Sequence, residues 1–308
     1  MNGMLPPQWA QEPGCLMLPH IVVVRAAGAA VRPFLARQLT CDVGALAPGR
    51  PLFGAWLTAK GRVLCLLRLI APDDAGVLLL LPAALASDVI ARMRMFVLRD
   101  DVTLEPAPQM LVAGLAGSAV DAVAAAPLQD LGGHLLPLGA QPPSALLVGP
   151  PAAVQAVTAQ VPVLDADRWH GLQILAGLPE VGPVTRESFI PQMLNLDRLG
   201  AVSFAKGCYP GQEIVARTQH LGRIKRRMYI ARSAGDIVAM PGDPISVNGA
   251  SDAPGRVVLA ARVGSDQMLL VVLPLDAVAC GAAFRLDGPQ GPKLEISAPP
   301  YPLDDAIR

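Results

Sequence analysis

Charge is scarce in this 308-residue chain, and neither sign is in excess. Its 25 Lys and Arg balance 25 Asp and Glu, and charged residues make up 16% of the total. That balance excludes a chain that holds nucleic acid through its overall charge. Aromatic residues are only 4%, too few for the stacking platforms that single-strand binders use. Cysteine is sparse as well. Cys15, Cys41, Cys65, Cys208 and Cys280 are odd in number, and no C-x-x-C occurs. Neither a disulfide framework nor a four-cysteine metal site within one segment is expected, and no residues are assigned as metal ligands. A long hydrophobic run is also missing. The strongest, from Gly76 to Ala86, falls well short of the roughly 20 residues that span a bilayer, and Pro82 interrupts it. It reads as a buried strand followed by a helix. No basic residue precedes an apolar stretch near Met1, so no secretory signal is expected and the cytoplasm is the expected compartment.

What the chain does have is apolar mass. Hydrophobic residues are 52% of the sequence, enough for a large core divided over two or three domains. Residues 1–19, rich in Pro, Gly and Gln, read as a loose lead-in. Ile21–Ala26 reads as a strand and Val31–Leu39 as a helix. Leu52–Thr58 and Arg62–Ala71 read as a hairpin around Ala59-Lys60-Gly61. A strand at Val77–Leu81, a helix at Ala83–Phe96 and a strand at Val102–Glu105 follow. This alternation predicts an α+β sandwich of ferredoxin-like type. Residues 107–162 predict a second α+β unit with a helix near Ala152–Gln160, and Trp169–Ala176 reads as another strand. After Arg227 six short strands alternate with turns such as Asn248-Gly249 and Asp287-Gly288, the pattern of a small antiparallel barrel. The domain expectation is a lead-in over 1–19, two α+β subdomains over 20–225 that split near 107–165 and could interleave, and a barrel over 226–308.

Chemistry concentrates in Lys206-Gly207-Cys208-Tyr209-Pro210-Gly211-Gln212-Glu213. Pro210, with its φ pre-set, suits the first position of a helix. Gln212 and Glu213 then fall in the first turn. Cys208 stands just before that helix with Lys206 two residues upstream, a setting that favours a thiolate. Gly207 and Gly211 let a ligand or another backbone approach. Glu213 and Arg217 have the i, i+4 spacing of an ion pair. A basic run follows, with Arg217, His220, Arg223, Lys225, Arg226 and Arg227. It could hold an anionic ligand or form a solvated rim of the barrel. On the bland reading Cys208 is a small buried hydrophobe, but its neighbours together favour a working thiol.

The string K-G-C-Y-x-G-Q-E resembles the signature of the folate-binding YgfZ family, relatives of the glycine-cleavage T-protein. All seven specified positions match, with Pro210 as the free one. Phe189-Ile190-Pro191-Gln192, Asn195-Leu196, Val202-Ser203-Phe204, Val215-Ala216-Arg217, Gln38-Leu39-Thr40-Cys41-Asp42-Val43 and Ala59-Lys60-Gly61 look like the family too. The resemblance spans roughly residues 20–300.

The resemblance implies two α+β subdomains and a C-terminal barrel around a central hole, with tetrahydrofolate or another folate bound in that hole. It implies an accessory factor for assembly or repair of iron–sulfur clusters in selected client enzymes, including one that methylthiolates tRNA. The motif thiol maps onto Cys208, with Lys206 beside it. The folate contacts implied are Trp169, Ile21, Tyr209, Gln212, Glu213, Arg217 and Lys60. Two departures stand out. The family's better known members flank the folate with two tryptophans; Trp169 matches the second, while Ile21 stands near the first and can give apolar contact only. Thr58 stands where the family often has Asp before Ala-Lys-Gly. Asp42 reads as a turn carboxylate. Two other readings remain: a tetrahydrofolate-dependent aminomethyltransferase of the T-protein type, against which the K-G-C-Y signature argues, and an RNA-binding module using the barrel and the basic run. Direct nucleic-acid binding, a membrane partner and an oligomer are not expected.

Overall fold

Near-continuous apolar strands need cover on both faces, and the architecture supplies it. A computed structural model describes residues 7–73, 76–124, 128–235, 238–249 and 254–303. Residues 1–6 of the expected lead-in and 304–308 at the far end of the expected barrel lie outside these. The chain starts with β1 (Gly14–Met17). It continues with β2 (Ile21–Ala27), α1 (Val31–Gln38), β3 (Leu52–Leu57), β4 (Val63–Ile70), β5 (Gly76–Pro82), α2 (Ala83–Arg94) and β6 (Thr103–Pro106). The last five strands form an antiparallel sheet in the order β3-β4-β5-β2-β6. Alternation divides each strand between two cores. Val77, Leu79 and Leu81 of β5 pack with α1 and α2. Leu78 and Leu80 face the centre of the molecule. The run Gly76–Pro82 is thus a buried strand, and no helix among the described residues is long and apolar enough to cross a membrane.

The second sheet repeats the winding. It comprises β7 (Leu111–Ala116), α3 (Ala119–Ala124), β8 (His134–Ala140), β9 (Pro143–Gly149) and α4 (Pro151–Thr158), with strands in the order β1-β7-β9-β8. In the first sheet β6 follows the second helix and pairs with β2. In the second sheet β1, from the other end of the chain, takes the equivalent place beside β7. Residues 14–17, expected to be loose, are therefore an edge strand that closes the second unit. Its strand character comes from pairing with residues 113–116, which local propensity does not reveal.

Next come α5 (Ala166–Leu175) and α6 (Gln212–His220). Residues 169–176, expected as a strand, are the end of a helix and its C-cap. Asp165 caps α5 by accepting a 2.6 Å hydrogen bond from the Arg168 N–H. Residues 171–175 are buried all round, so no helical period shows in the sequence.

The barrel is closed. It comprises β10 (Arg226–Ala234), β11 (Pro244–Val247), β12 (Gly255–Val263), β13 (Asp266–Pro274), a short α7 (Leu275–Ala279) missed in the sequence, β14 (Phe284–Leu286) and β15 (Lys293–Ser297). Asn248 and Gly249 both take positive φ in a tight turn, as their types predict. Tyr229, Leu269, Val271 and Leu273 fill the barrel. Met228, Ile230, Leu270 and Val272, on the opposite face of the same strands, join the central core. The fold is two ferredoxin-like α+β units and a barrel around a central cavity.

Candidate functional site

The inner faces of the two sheets meet α5 and the 179–183 segment around a cavity of about 210 Å³. Its walls are mostly apolar, with Ile21, Phe53, Leu66, Leu80, Leu138 and Leu146 among them. Trp169, on α5, adds an indole that is 1% exposed. Few polar groups interrupt the walls. Gln173, one turn on from Trp169, has a buried side-chain Nε2 without a hydrogen-bond partner among the described residues. Arg68 stands over the Phe53 ring, 4.5 Å from its centroid. Burial lowers its pKa to about 10, against the opposing charge of Glu180. Arg68 and Gln173 were not read from the sequence. Arg68 left a signal all the same, as the one charge in the apolar run of β4.

The 206–213 motif is elsewhere. Gly211, in the left-handed region at φ +79°, caps the N-terminus of α6, so Pro210 precedes the cap and does not occupy the first helical turn. A Cβ at Gly211 would lie 2.5 Å from the Thr58 carbonyl and 2.7 Å from Gly61 Cα. The close approach expected of this glycine is thus to the turn of the β3–β4 hairpin, which carries Lys60 at its exposed tip. That turn is closed by Thr58, whose Oγ1 accepts from the Arg62 N–H at 3.1 Å. Gly207, by contrast, has no atom within 4 Å of a would-be Cβ. Cys208 beside it is exposed.

Lys206 does not attend that thiol. Its Nζ donates to the carbonyls of Ala36 at 2.5 Å and Leu39 at 2.6 Å, at the C-terminus of α1. There it satisfies carbonyls that the helix leaves open. The ammonium also stands over the Tyr209 ring, 5.0 Å from the centroid. Desolvation lowers its pKa, against the pull of Cys41 and Asp42. Tyr209 is buried in the central core, and that burial raises its pKa to about 12. Gln212 is half-buried, and Glu213 and Arg217 are exposed; the latter two make no ion pair with each other among the described residues. Phe204 and His220, in a T-shaped contact at 5.6 Å, stand on the same exposed stretch.

The flanking segments are braces. Thr40 Oγ1 donates to the Ala201 carbonyl and accepts from the Ala55 N–H, and the Ser203 N–H donates to the Thr40 carbonyl. The run leading to Cys208 is thereby fixed to β3. Asp42 accepts from the Gly44 N–H, the turn role expected of it. Gln192, fully buried, donates from Nε2 to the Val215 carbonyl of α6 at 2.8 Å. Asn195 donates to the Met228 carbonyl and accepts from the Met228 N–H. Arg227, expected on a basic surface run, has no exposure. Its guanidinium forms a two-pronged pair with Asp197 at 2.6 and 2.9 Å.

The structure therefore sorts the expected site residues into two groups. Ile21 and Trp169 line the cavity. Lys60 is on the β3–β4 turn that meets the start of α6, Cys208, Tyr209, Gln212, Glu213 and Arg217 lie on α6 or just before it, Lys206 braces the end of α1, and none of them is among the cavity's lining residues.

No family model matches the chain. A tRNA-modifying protein YgfZ from Colwellia psychrerythraea is 30% identical to it over 242 residues, 74% of each protein. One from Cronobacter sakazakii is 29% identical over 291 residues, 89% of this chain and 88% of the relative. Among solved structures, the glycine cleavage system aminomethyltransferase T of Bartonella henselae matches with a TM-score of 0.70 at 16% identity, over 94% of this chain and 86% of that one. At that identity the likeness establishes the fold alone.

Proposed function

The chain belongs to the YgfZ family of tRNA-modifying proteins, and from that premise we propose that it is a tetrahydrofolate-binding accessory factor. Its work is the assembly or repair of iron–sulfur clusters in selected enzymes, tRNA-methylthiolating ones among them. The observation that carries the folate part is the cavity, an apolar slot with Trp169 in its wall and the Gln173 amide without a partner. A flat heteroaromatic ligand with hydrogen-bond acceptors fits such a slot. Trp169 and Ile21 would hold its rings, Gln173 would donate to it, and Arg68 would face its anionic tail. When bound, tetrahydrofolate supplies a carrier for one-carbon units.

Cys208 is the working thiol of the proposal. Its exposure beside the open face of Gly207 leaves it accessible to a large partner. One thiolate does not hold a cluster, which normally takes four ligands, so its contact with client cargo is transient or shared with the client. Cys208 is not among the residues that line the cavity, which supports two tasks on two surfaces.

The test is a titration of tetrahydrofolate against tryptophan fluorescence. Saturable quenching that disappears in Trp169→Phe is expected, and no quenching in the wild type overturns the folate reading. For aminomethyl transfer, the corresponding test is release of ammonia from an aminomethyl-lipoyl carrier in the presence of folate. For RNA binding it is salt-sensitive RNA retention; the burial and pairing of Arg227 take one cation away from that surface.

A further inference from the structure

At the mouth of the cavity three side chains converge from three separate segments. His20 closes the turn before β2, His170 follows Trp169 on α5, and Glu180 lies in the segment after α5. One ligand atom from each lies within 4.8 Å of the other two. The two imidazole centroids are 6.1 Å apart with planes tilted by 54°. His20 and Glu180 line the cavity. Among the described residues the three side chains make no hydrogen bond and no close ion pair, and the charge of Glu180 acts on Arg68.

We infer that His20, His170 and Glu180 form a binding site for a divalent transition-metal ion of the zinc class, with its open coordination position toward the cavity. Two imidazoles and a carboxylate are the donor set of open zinc sites, which keep a fourth position for water or a ligand. Nitrogen and oxygen donors suit zinc and its neighbours in preference to magnesium or calcium, which take all-oxygen shells. With Zn–N about 2.0–2.1 Å, tetrahedral geometry sets ligand atoms roughly 3.3 Å apart. The observed spacing is wider by about an ångström and a half at most. Because His20 is exposed and the other two are half-buried, side-chain rotation can close that gap. Bound there, the ion places a positive charge and an open site beside Arg68 and the cavity, where an oxygen or nitrogen donor of a ligand would meet it. The inference does not rest on the folate reading, because the donor set stands without it.

The test uses full-length protein stripped with a chelator, without folate. Zinc binding is measured by equilibrium dialysis, and geometry by the visible absorption of Co2+ in the same site. One ion per chain is expected, with the intense bands of tetrahedral cobalt and no sulfur-to-metal charge transfer. His20→Ala and Glu180→Gln should each weaken zinc binding at least about tenfold, the loss that even an outer-shell partner can cause. His170→Ala should do the same, and because His20 is exposed its variant carries the test if the His170 variant fails to fold. Three outcomes overturn the site: no saturable binding by the wild type, unchanged affinity in His20→Ala, or charge-transfer bands showing that Cys208 or Cys280 holds the ion.

Discussion

The six-membered ring of Trp169 lies directly on Gly114 of β7: a Cβ on that glycine would come within 2.5 Å of Cζ3 and 2.7 Å of Cε3. Gly114 therefore sets how deep the indole sits and hence the shape of one cavity wall. Gly114→Ala forces the ring to shift. A cost of about 1–3 kcal/mol is expected for such overpacking, measured by thermal or denaturant unfolding. Near-ultraviolet circular dichroism should change with it, and tetrahydrofolate quenching should weaken.

Cys208 is exposed and Cys41 and Cys65 are buried. Cys208→Ser should leave stability within about 0.5 kcal/mol, as for most surface substitutions. In a deletion strain the same variant should fail to restore tRNA methylthiolation, and full restoration would remove the thiol from the proposed function. Native alkylation followed by mass spectrometry should label Cys208 and Cys280 and spare Cys15, Cys41 and Cys65.

Burial moves the Cys41 thiol up to about 11 and the Cys65 thiol up to about 12, from an ordinary 9.0. Both groups are held neutral in the fold. Between pH 9 and about 12 the unfolded chain releases protons that the native chain keeps, so the unfolded state gains and stability falls as pH rises. Below pH 9 this contribution is fully present. Urea midpoints taken from pH 8 to pH 11 should decline, and Cys65→Ala should flatten the decline.

Asp197 and Arg227 form a buried pair, with side chains 3% and 0% exposed. Removing Asp197 takes from the buried Arg227 guanidinium the carboxylate that forms its two-pronged pair. Asp197→Ala should cost about 3–5 kcal/mol, read as a shift of the denaturant midpoint. RNA retention by folded variants should not respond to this pair.

Lys206→Met removes two charge-assisted hydrogen bonds to the end of α1. A loss of about 1–3 kcal/mol is expected. Because Lys206 braces the helix and does not attend the thiol, the alkylation rate of Cys208 should be unchanged in the folded variant. A marked drop in that rate would return Lys206 to the role its sequence position first indicated.

Much of this molecule is legible in its sequence. Val77–Leu81 and Arg62–Ala71 read as strands, and the structure has them at Gly76–Pro82 and Val63–Ile70, because apolar runs bounded by turn residues leave few alternatives. The six short strands expected after Arg227 are present because turn residues such as Asn248-Gly249 and Asp287-Gly288 separate them. What stayed hidden depends on distant partners. The strand at residues 14–17 exists by pairing with β7. The second half of α5, residues 171–175, is buried on all sides and shows no period. Arg227 looked like one more cation in a basic run, yet Asp197 holds it in the core. The motif announced Cys208, whereas Gln173, Arg68 and the His20, His170 and Glu180 group meet only through the fold.

The borrowed strand β1 has a consequence for how the molecule can be made and divided. Synthesised before the first unit, it finds its place only after Ala116 has followed. The second unit therefore closes across the intervening first unit, and contacts of that range slow folding. Cutting the chain before Ile21 would strip β7 of one of its two neighbours, leaving it paired with β9 alone and its other edge ready to capture another chain. The two units, alike in winding, are thus not separable as fragments: the second is sealed by a strand that the chain supplies before it builds the first.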